Sequence, residues 1–302
     1  MGGMFIRVAA PLILLAAMIN SAAAQTIVVG VLEDVPGTYF GEKDRRAVRV
    51  VFEKDGREWR AFPGDCRDER CLSTVGSEYP HGIIWNVGFD GKKLGQITAQ
   101  MPREFRFYSE VGLQVVTSQG PVPTVGQRSQ EYGGCTGAAV YRPLVTNSQP
   151  YFNDPESWKP SRLSSDLVRL LRQQFRRQFP KFCTLGHDQT NLEPFSYSDN
   201  NIEVVAAYGS NKGWTAARLH LGGAIDCSDT EAGFEIDDKW FVVDPKQSVW
   251  YLDEGMWLVD AGDYDNDGHS EVIFSIDRDN RGGYELFYDD FRKRATLQFA
   301  YH

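Results

Sequence analysis

The residues of this chain with the clearest chemistry are the carboxylates of one short acidic segment near the carboxyl terminus. Asp263, Asp265 and Asp267 alternate with other residues, and Glu271 follows shortly after them. Gly268 permits the sharp bend that a side chain would obstruct. Ca²⁺ takes about six to eight hard oxygen ligands in a flexible geometry. The spacing therefore predicts a calcium site, with water completing the coordination.

The charge around this segment also favours a bound cation. Between Gln247 and Asp277 the sequence has eight acidic residues and no Lys or Arg. Carboxylates that converge without a cation repel one another, and their pKa values rise. Ca²⁺ suits such a loop better than Mg²⁺, which prefers strict octahedral geometry and keeps its waters. The alternative is an exposed acidic turn without an ion.

The segment is not an EF-hand, because the twelfth position counted from Asp263 is Phe274 and not Glu. Its flanks are apolar, β-branched and aromatic, which predicts a strand on each side. A D-x-D-x-D-G-x-x-E loop between strands resembles the FG-GAP or VCBS-type repeat of integrin-alpha-like β-propellers. In that family the motif ends in Asp, and the loop binds calcium at the edge of a blade.

The resemblance is specific over about residues 257–274, and it implies a four-stranded blade over residues 257–302. Glu replaces the family's final Asp, which lengthens that ligand. Together with the backbone carbonyl of His269, the implied ligands are the side chains of Asp263, Asp265, Asp267 and Glu271. A second acidic loop, residues 277–283, contains two Arg and is predicted to be a polar hairpin turn.

The rest of the sequence favours strands that would position this loop. Aromatic residues make up 13% of the chain and Gly occurs 29 times, a mixture typical of strands and turns. Alternating apolar and polar residues predict strand pairs around turns that mostly contain Asp. These pairs lie at residues 47–62, 83–100, 202–221, 240–252 and 283–301. We predict an all-β fold of antiparallel hairpins in a propeller-like arrangement, one domain over residues 25–302.

One helix is predicted within this β-structure, at residues 161–179. Its apolar residues follow helical spacing, and Pro160 and Pro180 bound it. Its other side carries five arginines, although the chain has a net charge of −9. This basic side is either a solvated face that balances nearby carboxylates or a docking surface for an acidic partner.

Residues 1–24 have the layout of a secretory signal peptide. Arg7 precedes an apolar run of 12 residues, Val8–Ile19, which is too short to span a bilayer. Three alanines then predict cleavage before Gln25. The mature protein is therefore expected to be secreted or periplasmic.

Five cysteines are expected to form disulfides in such a compartment. Cys66 and Cys71 flank a short polar loop and form the most credible bridge. Cys183 with Cys227 is a second suggested pair. Cys135, in a glycine-rich segment, would then be left over.

The net charge of the chain excludes more classes of function than its sequence motifs identify. A net charge of −9 disfavours nucleic acid as a partner, and no later segment has the length of a membrane span. The chain lacks the common hydrolase, zinc-protease and phosphate-loop motifs. We predict a secreted, calcium-binding, non-enzymatic module for a protein or glycan ligand. The alternatives are a secreted hydrolase, perhaps acting on polysaccharide, with structural calcium, and a structural envelope protein.

Overall fold

The fold is known from a computed structural model. It describes residues 26–35, 45–62, 79–80, 82–99, 113–117, 144–147, 153–186, 191–228, 236, 238–278 and 281–300. Over these residues the chain is mostly β-structure in antiparallel sheets, with one α-helix. The prediction of an all-β fold with one helix is confirmed. The proposed signal peptide and Cys66, Cys71 and Cys135 lie outside the described residues.

The amino-terminal half forms a seven-stranded sheet. Its strands are β1 (Ile27–Val35), β2 (Arg45–Asp55), β3 (Glu58–Ala61), β4 (Ile84–Phe89), β5 (Lys92–Ala99), β6 (Leu113–Thr117) and β7 (Leu144–Thr146). Their order is β1-β7-β4-β5-β6-β2-β3, and β1 also pairs with β2. One core cluster of this sheet surrounds Trp85 and Val87, which are fully buried.

A five-stranded sheet follows and carries the helix. The strands and helix of this region are β8 (Lys159–Pro160), α1 (Ser165–Gln178), β9 (Phe182–Leu185), β10 (Leu192–Phe195), β11 (Ile202–Gly209), β12 (Thr215–Leu221), β13 (Lys239–Val243) and β14 (Val249–Glu254). The five-stranded order is β14-β13-β12-β11-β8, while β9 and β10 pair as a hairpin. Leu171 and Phe175 of α1 are fully buried in a cluster with residues of β12 and β13.

Helix α1 begins four residues later than the sequence pattern predicts. Lys159 and Pro160 pair with β11, so the chain is still extended before the helix. Ser164 then caps it, because its side chain accepts a hydrogen bond from the Leu167 N–H at 3.3 Å. No helix among the described residues has the length and apolar character that a membrane crossing requires.

The carboxyl-terminal sheet has four strands in chain order: β15 (Met256–Gly262), β16 (Glu271–Arg278), β17 (Arg281–Tyr288) and β18 (Lys293–Ala300). Alternate residues of β16 face opposite layers. Val272, Phe274 and Ile276 pack with Trp240 of the five-stranded sheet, while Ile273 packs with residues of the seven-stranded sheet. The four-stranded sheet is therefore the middle layer of a stack.

Stacked sheets differ from the ring of blades that a propeller requires. The four-stranded unit predicted at residues 257–302 is present, but a ring of blades is not seen among the described residues. The propeller-like arrangement is therefore not confirmed.

One predicted disulfide is within bonding distance. Cys183 of β9 and Cys227 have their sulfur atoms 2.23 Å apart and their Cα atoms 5.0 Å apart. The backbone of Cys183 also pairs with Ile225. The bridge thus ties the hairpin after the helix to the segment that follows β12.

Candidate metal centre

The acidic loop connects β15 to β16 and bends around the carboxylate of Asp263. This buried carboxylate accepts the N–H groups of Asp267 and Gly268, both at 2.9 Å. The backbone turns through Asn266 at φ 62° and Gly268 at φ 87°, a region that Gly and Asn adopt most readily. The glycine predicted to permit a sharp bend does so.

The three aspartates of the loop converge. Asp263, Asp265 and Asp267 each offer a carboxylate oxygen, and these oxygens lie within 4.8 Å of one another. Two oxygens bound to one Ca²⁺ at 2.3–2.6 Å can be at most about 5 Å apart. The donors are all hard oxygens, so the arrangement suits a single shared calcium ion.

Glu271 lies beside this group as the first residue of β16. It is 2% exposed, and its Oε2 accepts the N–H of Tyr264 at 2.8 Å. Burial raises the pKa of Glu271 well above its ordinary value, and repulsion from the Asp265 carboxylate adds to this. The converging group comprises only the three aspartates, so side-chain ligation by Glu271 stays a prediction.

The pKa of Asp263 is also raised, first by burial and then by the neighbouring Asp265 and Asp267, against the lowering effect of its two N–H donors. A bound cation would favour the charged form of these groups and lower both pKa values. The electrostatics of the loop are therefore those of a site that gains from added positive charge.

The sequence analysis did not identify one positively charged side chain at the loop. Lys54, on β2, places its Nζ in hydrogen-bonding contact with Oδ2 of Asp265. Both side chains are nearly buried, at 15% exposed for the lysine and 4% for the aspartate. The absence of Lys and Arg near the loop in sequence therefore does not leave it without positive charge in the fold. The two residues are 211 positions apart, so no local pattern could reveal the pair.

The side chain of His269 belongs to a second cluster. Its Nδ1 lies 3.8 Å from Oε1 of Glu156, and ligand atoms of His269, Glu156 and Asp290 lie within 4.8 Å of one another. The ammonium of Lys212 is 2.9 Å from the same Glu156 oxygen and 3.4 Å from the His269 ring. This cluster thus has an internal counter-ion. Ligation by the His269 backbone stays a prediction.

A preceding turn, residues 153–158, holds the acidic loop in place. Asp154 accepts the hydroxyl hydrogen of Ser270 at 2.6 Å. The same carboxylate accepts the N–H groups of three consecutive residues, Glu156, Ser157 and Trp158. The N–H of Asp263 donates to the Asn153 carbonyl at 2.9 Å. The turn and the acidic loop are therefore joined by one side-chain and one backbone hydrogen bond.

Some charged side chains of the second acidic loop and of helix α1 have partners within the chain. In the second acidic loop, Arg278 donates to Asp253 at 2.5 Å, while residues 279–280 lie outside the described residues. On helix α1, Arg172 donates to the Ile202 carbonyl and Arg176 pairs with Asp199, both at 2.9 Å. These contacts fit a polar hairpin and a solvated helix face.

Comparison with known proteins adds no relative. No protein-family model matches the chain, and no curated protein or solved structure is significantly similar to it. The resemblance to FG-GAP and VCBS repeats thus depends on the loop residues alone, and membership of that family is not established.

Proposed function

We propose that the chain is an exported calcium-binding protein that acts as a non-enzymatic binding module for a protein or glycan. The observation that carries this proposal is the convergence of three carboxylate oxygens, from Asp263, Asp265 and Asp267, within 4.8 Å. Glu271 lies beside them and is 2% exposed, so a bound cation would offset the cost of ionising its buried carboxyl group.

Calcium would act by rigidifying a surface next to the loop. The ion fixes the loop, and the loop holds the turn at residues 153–158 through Asn153 and Asp154. That turn contains Trp158, which is partly buried against the neighbouring core cluster, with its ring 5.6 Å from that of Phe291. Partly buried aromatic side chains are favoured at binding surfaces because they combine a large contact area with few rotatable bonds.

Thermal melting with and without a chelator tests the calcium part of the proposal. A ligand at 100 times its Kd stabilises the folded state by about 2.7 kcal/mol, so calcium should raise the Tm measurably. Asp267→Asn keeps an oxygen acceptor but removes one charge, and it should shrink this response. Asp277→Asn, at an exposed position of β16, is the matched control and should respond like the native protein. Identical melting curves with calcium and chelator would contradict the proposal.

Binding of a panel of proteins and glycans tests the ligand part. Trp158→Ala should weaken binding of whichever ligand the native protein retains, while leaving the calcium-dependent rise in Tm in place. If Trp158→Ala keeps full affinity for the ligand, the binding surface lies elsewhere on the molecule.

One observation favours a hydrolase as the second candidate. The carboxylates of Glu156 and Asp290 approach within 4.8 Å, and the two carboxyl groups of retaining glycosidases are about 5–5.5 Å apart. In that case Glu156→Gln should abolish release of reducing sugar from a polysaccharide, while circular dichroism at the assay temperature should show that the variant is folded. Absence of any turnover by the native protein on such substrates would argue for the binding module.

A further inference from the structure

The ammonium group of Lys54 lies against the acidic loop. Its Nζ contacts Oδ2 of Asp265, and it lies 5.3 Å from the Trp59 ring centre and 5.7 Å from that of Tyr288. Cation–π attraction and the ion pair act on the same group, since both rings are within about 6 Å. Lys54 therefore belongs to the loop's charge balance, although it comes from another sheet.

The loop's aspartates thus already share one positive charge. A monovalent ion that displaced the ammonium would exchange one unit charge for another and gain little Coulomb energy. A divalent ion doubles the charge at the same distance, and the Coulomb energy doubles with it. The electrostatic energy therefore favours entry of a divalent ion over a monovalent ion.

We infer that Lys54 is an internal competitor for the proposed calcium site, which lowers its affinity for Ca²⁺ and makes it select divalent over monovalent cations. This inference rests on the proposed function. On calcium binding the ammonium leaves Asp265.

Calorimetric titration of the chelator-treated protein with CaCl₂ tests the competition. Lys54→Met keeps an apolar stem of similar length and removes the charge, so it should bind calcium about tenfold more tightly. Lys54→Arg keeps the charge and should stay near the native affinity. Lys293→Met is the matched control, because the Lys293 ammonium lies over the same Tyr288 ring at 5.8 Å but pairs with Glu58.

Sodium competition tests the selectivity. For each variant, calcium affinity in about 0.5 M NaCl is compared with that in about 0.5 M tetramethylammonium chloride, which screens charges to the same extent but has a cation too large to enter the loop. Sodium can enter the loop that lacks the lysine charge. The loss of calcium affinity in NaCl relative to the tetramethylammonium salt should therefore be larger for Lys54→Met than for the native protein or Lys293→Met.

The outcomes separate this inference from the proposed function. Equal calcium affinity of the native protein and Lys54→Met would overturn the inference and leave the calcium site intact. Binding by Lys54→Met alone would support the competition and refute calcium binding by the native chain. Absence of binding in every variant would overturn both. If Lys54→Met does not fold without metal, Lys54→Gln, which can donate to Asp265 without a charge, should show the same tightening.

Discussion

Asp260 should make the stability of the fold fall as the pH rises from about 4 to about 7. A register shift between Leu258 and Asp260 interrupts the pairing of β15 with β16, and such bulges redirect side chains. The Asp260 carboxylate accepts the N–H groups of Ala261 at 2.9 Å and Asp90 at 3.2 Å. Burial nevertheless raises its pKa from 3.8 to about 7.

The sign and size of the effect follow from this shift. Between the two pKa values the folded chain keeps the proton on Asp260 and the unfolded chain has lost it, so unfolding becomes easier with rising pH. A shift of about three pKa units corresponds to at most about 4 kcal/mol. Above pH 7 both states are ionised, and the loss is complete.

The assay is urea unfolding followed by circular dichroism at several pH values without added calcium. Asp260→Asn keeps an oxygen acceptor and cannot titrate, so its stability relative to the native protein should increase by up to about 4 kcal/mol between pH 4 and pH 7.5. Asp277→Asn controls for the loss of one carboxylate at an exposed position of the adjacent strand. A difference between Asp260→Asn and the native protein that does not change with pH would refute the reasoning.

Three further variants test the support of the loop and the five-stranded region. Gly262→Ala should lower the free energy of unfolding by about 1–3 kcal/mol, because its Cβ would lie 2.9 Å from the Tyr264 ring; an unchanged urea midpoint would contradict this packing. Replacing both Cys183 and Cys227 with Ala should cost about 4 kcal/mol by loop entropy, since the bridge closes 44 residues; reduction of the native protein should give the same loss. Asp154→Ala should lower the Tm and weaken calcium binding, whereas a normal calcium titration would show that the turn does not support the loop.

The hairpins could be predicted from sequence because their signals are local. Asp90 and Gly91 both adopt positive φ, at 51° and 67°, as a two-residue turn of type I′ requires. The same holds for the acidic loop, where alternate aspartates and Gly268 lie within a few residues of one another. Local patterns therefore predicted the convergence of the three aspartates, while the occupancy of the loop by calcium stays a prediction.

The features that sequence reasoning missed all depend on contacts between distant segments. The pairing of β7 with β1 joins residues more than a hundred positions apart, and it has no signature in either segment. The same is true of the ion pair between Lys54 and Asp265 and of the cluster formed by Glu156, His269 and Asp290. The late start of helix α1 has a similar cause, because pairing of β8 with β11 competes with helix formation.

A crystal structure of the protein grown with CaCl₂, with anomalous scattering recorded for calcium, tests the central claim most directly. The account predicts one peak among Asp263, Asp265 and Asp267, with oxygen ligands at about 2.3–2.6 Å. It also predicts that the Lys54 ammonium is no longer in contact with Asp265. A loop without a peak, in which Lys54 still pairs with Asp265, would contradict the account.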